Sequence, residues 1–227
     1  MKTAVLLGVG GLGCPAALAL AEEARARALP LRLVLVDPDR VEASNLARQI
    51  LFHERDLGSF KAEAAARRLA AGEGGTSLRA EARVARFVPA TAGALLEGAD
   101  VLLDGTDDPD TRFLANDECA ARRLPLVHGA VLGWQGQLAT LLPGGPCLRC
   151  LFEGPPPPAA RATCAEAGVL SPLCGVVGAG MAGAALAVLF GRPEGGVLRR
   201  WDARRGTERP FQLQRDPACV VCARRAS

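Results

Sequence analysis

The stretch "AVLLGVGGLG", Ala4 to Gly13, decides the fold. Ala4 to Val9 form an apolar run too short for a helix, which reads as a fully buried strand. Gly8, Gly10, Gly11 and Gly13 then fit the spacing G-x-G-x-x-G. Glycine there permits a tight turn and lets backbone N–H groups approach a phosphate, while the next helix presents its positive end. Pro15 to Leu29 is Ala-rich, with Glu and Arg late, and reads as that helix. "LRLVLVD", Leu31 to Asp37, is a second strand ending in an acid, at the distance where such units hold a ribose. A glycine-rich turn without a ligand is the plainer reading, and the strand–turn–helix context with Asp37 argues against it. The loop supports a nucleotide without specifying which.

Strand and helix continue to alternate. Ser59 is a candidate cap for a helix running to about Leu69. "LRAEARV" and "ADVLLDGTDD" read as third and fourth strands, Thr111 to Arg123 as a helix, and "LPLVHGAV" as a fifth strand. After Gly133 the pattern changes: "QGQLATLLPG" and "VLRRWDARRGTERPFQLQ" read as antiparallel strands. Between them lie the prolines 155–158, expected as a crossover loop, and a small-residue helix, Gly175 to Gly191. The expected fold is α/β, Rossmann-like and doubly wound, its mainly parallel sheet continuing into antiparallel strands. It is expected as one unit over 1–227, with a nucleotide-binding half at 1–132 and an antiparallel, metal-binding half at 133–227.

A chain of 227 residues can bury a sizeable core. Its net charge of +3, with scattered arginines, gives no argument for nucleic acid or an anionic membrane. The first residues imitate a secretory signal, but cleavage would delete the glycine loop. The helix Gly175 to Gly191 is slightly short for a membrane span and dense in small residues, which favours burial or a subunit contact. A cytoplasmic protein is expected, with no membrane partner.

Beyond Asp37 the chain reads "PDRVEASNLARQ". Asn45 and Arg48 are three apart and share a face of a helical turn. Arg48 offers a charged planar fork for phosphate oxygens, Asn45 an uncharged donor, and Lys61 a point charge. Asp37 for ribose, with these three for phosphates, implies a triphosphate; for any one of them a solvated helix face is the bland alternative. "DGTDDPD" then brings Asp104, Asp107, Asp108 and Asp110 together at a strand's carboxyl end. Such carboxylates repel one another without a cation, and Mg²⁺ held with substrate phosphates is the usual solution. Asp108 or Asp110 reads as a helix cap and Asp107 as the metal ligand.

The blocks "GVGGLG", "DPDRVEASNLARQILF", "GSFKAEAAARRL", "DGTDDPDTRFLAND", "GAVLGWQGQLATLLPGGPCLRCLF" and "CAEAGVLSPLCGVVG" occur in that order. Over nearly the whole chain they resemble the ThiF/MoeB adenylyltransferases, bacterial relatives of the ubiquitin-activating enzymes. The resemblance implies ATP–Mg²⁺ and adenylation of the C-terminal glycine carboxylate of a ubiquitin-like sulfur-carrier protein with a Gly-Gly tail. By position it also gives Asp37 the ribose, Asn45, Arg48 and Lys61 the phosphates, and Asp107 the Mg²⁺. Relatives carry a helix before the first strand whose arginine reaches the neighbouring subunit's ATP. Here Met1 to Thr3 leave no room for it, so either another arginine substitutes or turnover is weak. A homodimer packing through the small-residue helix is expected. A nicotinamide-dependent oxidoreductase would leave Arg48, Lys61 and Asp107 without a task. A carrier-binding scaffold without chemistry would not need the full charged set.

Eight cysteines complete the reading. Cys147 with Cys150 and Cys219 with Cys222 form two C-x-x-C pairs, which match a closed tetrahedral Zn²⁺ site. Redox dithiols or disulfides are the alternatives, and the resemblance also implies zinc. At the position of Cys164 some relatives use a cysteine to capture the activated carboxyl or pass sulfur, and an idle loop thiol is the alternative. Cys14, at a helix start, is expected to pack at the loop with a lowered pKa. Cys119 and Cys174 read as core residues, and His53 and His128 as structural.

Overall fold

The computed structural model describes residues 1–71, 77–157 and 168–223. Along these run β1 (Lys2–Leu7), α1 (Gly13–Ala26), β2 (Leu31–Val36), α2 (Lys61–Ala70), β3 (Leu78–Arg83), α3 (Pro89–Leu95) and β4 (Val101–Asp104). There follow α4 (Pro109–Arg122), β5 (Leu126–Leu132), β6 (Gln135–Leu141), α5 (Leu148–Leu151), α6 (Ser171–Phe190), β7 (Val197–Asp202) and β8 (Thr207–Gln212). All eight strands join one sheet in the order β3-β2-β1-β4-β5-β6-β7-β8. β3 to β5 pair parallel in that order, and β6, β7 and β8 continue antiparallel.

Burial follows the strand sequences. β1 from Ala4 and β4 up to Leu103 are apolar and buried because helices cover both faces of a parallel sheet. β3, "LRAEAR", is an edge strand with charged residues, and β8 is exposed throughout. One face packs Leu6, Leu33 and Leu103 against residues of α1, α2 and α6. The other packs Leu7, Val36, Leu102 and Leu126 with Phe113, Ala92 and Leu148 of α4, α3 and α5. From β1 the chain winds outward through β2 and β3, then returns to β4 on the other side. This reversal opens a crevice at the strands' carboxyl ends, where such sheets bind ligands.

α6 is long and apolar enough to cross a membrane, yet half of its apolar window is buried against protein. It lies on α1, β5 and β6, and small residues make that approach possible. A Cβ on Gly178 would stand 2.6 Å from Pro15 Cγ and 2.7 Å from the Leu12 carbonyl oxygen. One on Gly129 would stand 2.3 Å from Met181 Sδ.

Some local expectations change. Phe60, not Ser59, occupies the cap position of α2 and makes no side-chain cap hydrogen bond. Its first residue, Lys61, instead donates its N–H to the Asp39 carbonyl at 2.9 Å. α3 and α5 were not anticipated. α3 is a short run begun by Pro89, and α5 is a single turn inside the first cysteine pair.

The contact between α1 and α6 is testable. Gly178→Ala is expected to cost about 1–3 kcal/mol by overpacking against the α1 backbone. Gly183→Ala, with nothing within 4 Å of the new methyl, should be neutral or gain up to about 1 kcal/mol from helix propensity. Urea unfolding of both variants reads the difference, and equal stability would contradict the packing.

Candidate active site

The crevice at the switch point is a cavity of about 700 Å³. Its walls bring together Gly8, Gly10, Gly11, Asp37, Asn45, Arg48, Lys61 and Asp107. These residues are spread over a hundred positions of sequence, and the parallel strand order is what gathers them.

The glycine loop is shaped by close approach. Gly8 has φ +79°, and a Cβ there would lie 3.1 Å from the Gly105 carbonyl oxygen. A Cβ on Gly13 would fall 1.9 Å from the Gly8 carbonyl oxygen, so only glycine allows the turn to close. Gly13 stands behind the cavity wall, where α1 begins, while Gly10 and Gly11 face the space. Leu12, at the cap position of α1, makes no side-chain cap hydrogen bond; the Cys14 N–H donates to the Gly10 carbonyl oxygen at 3.0 Å, and the helix end contributes partial positive charge behind the loop. Cys14 packs beneath the loop, its Sγ 3.5 Å from the Val9 carbonyl oxygen. Burial pushes its thiol up to about 12, against the lowering expected from the helix end.

Asp37 ends β2 and is only 4% exposed. Its Oδ2 accepts the Val9 N–H at 2.7 Å and its Oδ1 accepts the Asp39 N–H at 2.8 Å. Burial raises its pKa, and these two amides oppose the rise. Asn45 closes a one-turn 3-10 helix, Ala43–Asn45. Its Oδ1 accepts from Gln49 Nε2 at 2.7 Å and from Arg48 Nη2 at 3.4 Å. Arg48 therefore shares Asn45's face, beside Gly11. Lys61 is almost buried, with its Nζ 3.1 Å from Asp39 Oδ2.

Asp107 is exposed on the opposite wall. The neighbouring acids divide their work. Asp108 caps α4, accepting the Thr111 N–H at 2.8 Å and its hydroxyl at 2.6 Å. Asp104 is fully buried, and its Oδ2 lies 2.9 Å from His128 Nδ1. Burial pushes Asp104 up, but His128, Arg112 and Thr106 outweigh it and hold the carboxyl below its ordinary range. Burial holds the His128 imidazole down, so the neutral ring donates from Nδ1 to the Asp104 carboxylate. His53 does not line the cavity and contacts Arg68. Reading the sequence missed Gln49, Asp39, Arg112 and the buried Asp104–His128 pair. Gln49 and Arg112 sit inside the quoted blocks, and their spacing from Asn45 and Asp108 was the available signal.

Outside the cavity, Cys147, Cys150, Cys219 and Cys222 place their sulfurs within 4.8 Å of one another. Three of the separations are 4.0, 3.7 and 3.4 Å. A tetrahedron with metal–sulfur bonds of about 2.3 Å has edges near ~3.8 Å, so the donor set and its size fit zinc. Asn116 and Asp117 of α4 hold the first pair, through Leu148 N at 2.8 Å and Arg149 Nη2 at 2.8 Å. Burial pushes Cys219 up, but the Cys222 and Val221 amides and the adjacent thiols bring it down to about 7. Cys119 and Cys174 are buried, Cys174 beside Gly11. Cys164 lies outside the described residues.

The fold and the cavity define a nucleotide-binding protein of the doubly wound α/β class. The ThiF family model matches residues 2–221, and the chain belongs to the ThiF family. It is 41% identical over 226 residues to a sulfur carrier protein adenylyltransferase of Thermus thermophilus, covering 96% of this chain and 81% of that one. It is 39% identical over 221 residues to the SAMP-activating enzyme E1 of Haloferax volcanii, covering 96% and 79%. Against the adenylyltransferase and sulfurtransferase MOCS3 of Anopheles gambiae it is 39% identical over 228 residues, covering 98% of this chain but 50% of the longer protein. By class, then, the chain is an adenylyltransferase of the activating-enzyme type. Among solved structures, E. coli MccB with ATP superposes with a TM-score of 0.81 at 20% identity, covering 97% of this chain and 66% of that one, which concerns the fold alone.

The cysteine site yields a direct check. Cys219→Ser should lower Tm by roughly 5–10 °C, since about 1 kcal/mol moves Tm by ~2–4 °C in a chain of this size. Elemental analysis of the unstripped wild-type protein should give one zinc per chain, and a metal-free, equally stable protein would contradict the assignment.

Proposed function

We propose that this chain uses ATP and Mg²⁺ to adenylate the C-terminal glycine carboxylate of a ubiquitin-like sulfur-carrier protein. The product is an acyl-adenylate, with pyrophosphate released, ready for later sulfur transfer. One observation carries the reading: Asp37, Asn45, Arg48, Lys61 and Asp107 line one cavity around Gly10 and Gly11.

A carboxylate is a poor electrophile and first needs a leaving group. One carboxylate oxygen attacks the α-phosphorus, the bond from that phosphorus to the bridging oxygen breaks, and pyrophosphate leaves with the electron pair. Such a transfer needs placement and charge neutralisation more than an acid or base. Asp37 accepts hydrogen bonds from the ribose hydroxyls, and the backbone N–H groups of Val9 and Asp39 keep the carboxylate aimed. Asn45, Arg48 and Lys61 take the phosphate oxygens, and the N-terminal end of α1 adds partial positive charge. Asp107 is the ligand for Mg²⁺, which supplies neutralisation of the phosphate charge. Cys164 is the candidate for a later step, capturing the activated carboxyl or passing sulfur. The chain acts as one nucleotide-binding unit over 1–227, in a cytoplasmic homodimer. The zinc site is structural, since four thiolates leave no open position.

ATP–pyrophosphate exchange dependent on a Gly-Gly-ended carrier tests the reading. Asp107→Ala should lower exchange by roughly a hundredfold or more while leaving Tm unchanged, because a metal contributes several kcal/mol of charge stabilisation to such a step. Near-normal exchange by that variant, or none by wild type with any carrier of this kind, would overturn it.

A further inference from the structure

Arg112 stands on the cavity wall at the start of α4, and none of the roles above uses it. Its guanidinium is held from behind. Nη2 donates to the Thr106 carbonyl oxygen at 2.9 Å, and Nε faces Asp104 Oδ2 at 3.5 Å, an ion pair without a hydrogen bond. Asp104 is in turn fixed by Thr106, whose N–H and hydroxyl reach Oδ1 at 3.0 and 2.6 Å, and by His128. His128 Nε2 lies 3.1 Å from Gln137 Nε2, so the ring cannot turn without breaking a contact at each end. With that imidazole neutral, Arg112 is the cation that balances the buried carboxylate. Gln137, His128, Asp104 and Arg112 thus form a chain of contacts running from β6 through β5 and β4 to the cavity. Among the described residues, Arg112 Nη1 makes no hydrogen bond.

The sheet order says which anion this fork meets. Asp37 ends β2, the glycine loop leaves β1, and Asp104 ends β4 on the far side of β1. Strands are spaced by about 4.8 Å, so Asp104 stands roughly 10 Å from the ribose end of the cavity. A nucleoside anchored at Asp37 with its phosphates at the glycine loop brings the α-phosphorus over β1. The acyl group must come from the other side, over β4 and β5, whose Ala130, Val131 and Leu132 continue the wall. The phosphates already have Arg48 and Lys61.

We infer that Arg112 binds the C-terminal carboxylate of the protein tail and sets it against the α-phosphorus. This rests on the adenylation reading and names the residue that recognises the second substrate. A single Nη1 contact engages one carboxylate oxygen and leaves the other to attack. Asp104 and His128 are positioning residues: they touch no substrate and act through the guanidinium.

The test compares two synthetic peptides ending in Gly-Gly, one with a free carboxylate and one amidated, titrated into full-length protein saturated with a non-hydrolysable ATP analogue. Wild type should bind the acid about tenfold or more tightly than the amide, the size of one charge-assisted hydrogen bond. Arg112→Ala should bind both equally, with its affinity for the ATP analogue within about twofold of wild type, which also shows that it has folded. Should the alanine variant fail to fold because Asp104 is left uncompensated, Arg112→Lys retains the charge without the fork. It should keep nucleotide affinity and lose most of the preference. An unchanged preference for the acid in these variants overturns the inference, as does loss of nucleotide affinity with the preference intact, which would place Arg112 on a phosphate. Wild type binding neither peptide overturns the adenylation reading itself.

Discussion

The Asp37 carboxylate ties the structure together. Its two oxygens accept N–H groups from Val9 in the glycine loop and from Asp39 in the turn after β2. One buried side chain therefore fixes the glycine loop relative to the carboxyl end of β2, the two places where the proposed reading puts phosphates and ribose. Asp39 extends the tie: its carbonyl accepts the Lys61 N–H and its carboxylate meets Lys61 Nζ. Loop, strand end and first helical residue of α2 are coupled through these four contacts. The buried carboxylate costs free energy unless hydrogen-bonded, so losing either amide would loosen the glycine loop and the end of β2 together.

On the other side of β1 a second buried carboxylate does comparable work. Asp104 draws in Thr106, His128 and Arg112, and so sets the wall of the cavity that faces β5. The two acids end β2 and β4, flanking the strand that feeds the glycine loop. The site is thus a product of strand order: a sheet wound in sequence order would put β3, not the strand that feeds the glycine loop, between these ends. The antiparallel extension through β6 to β8 contributes Gln137 behind His128, while α4 anchors the cysteine cluster through Asn116 and Asp117. α4 accordingly links the four-cysteine corner to the wall that carries Arg112.

Much of this was legible in the sequence. The runs "AVLLGV", "LRLVLVD" and "ADVLLDG" announce buried parallel strands because continuous apolar stretches of that length have no other stable place. Gly8 and Gly13 announce a tight turn, and the structure shows why only glycine closes it. The paired C-x-x-C motifs announce a four-thiol cluster that the chain indeed assembles. The short helices α3 and α5 were hidden because one or two turns carry no usable periodicity. Cys14 was misjudged because position at a helix start says nothing about burial, and burial dominates its thiol. His128 read as merely structural, and its link to Arg112 depends on register between β4 and β5, which no local pattern encodes. Asp39 went unnoticed because its partner Lys61 is 22 residues away.

The central claim is that a protein carboxylate attacks the α-phosphorus of ATP in this cavity. It is tested most directly by isotope transfer. A Gly-Gly-ended carrier labelled with ¹⁸O in its C-terminal carboxylate is incubated with the protein and ATP–Mg²⁺, and the acyl-adenylate is captured at its carbonyl with hydroxylamine. The released AMP should carry one ¹⁸O, delivered from the carboxylate through the C–O–P bridge. AMP free of label, or release of ADP and phosphate instead, would contradict the account.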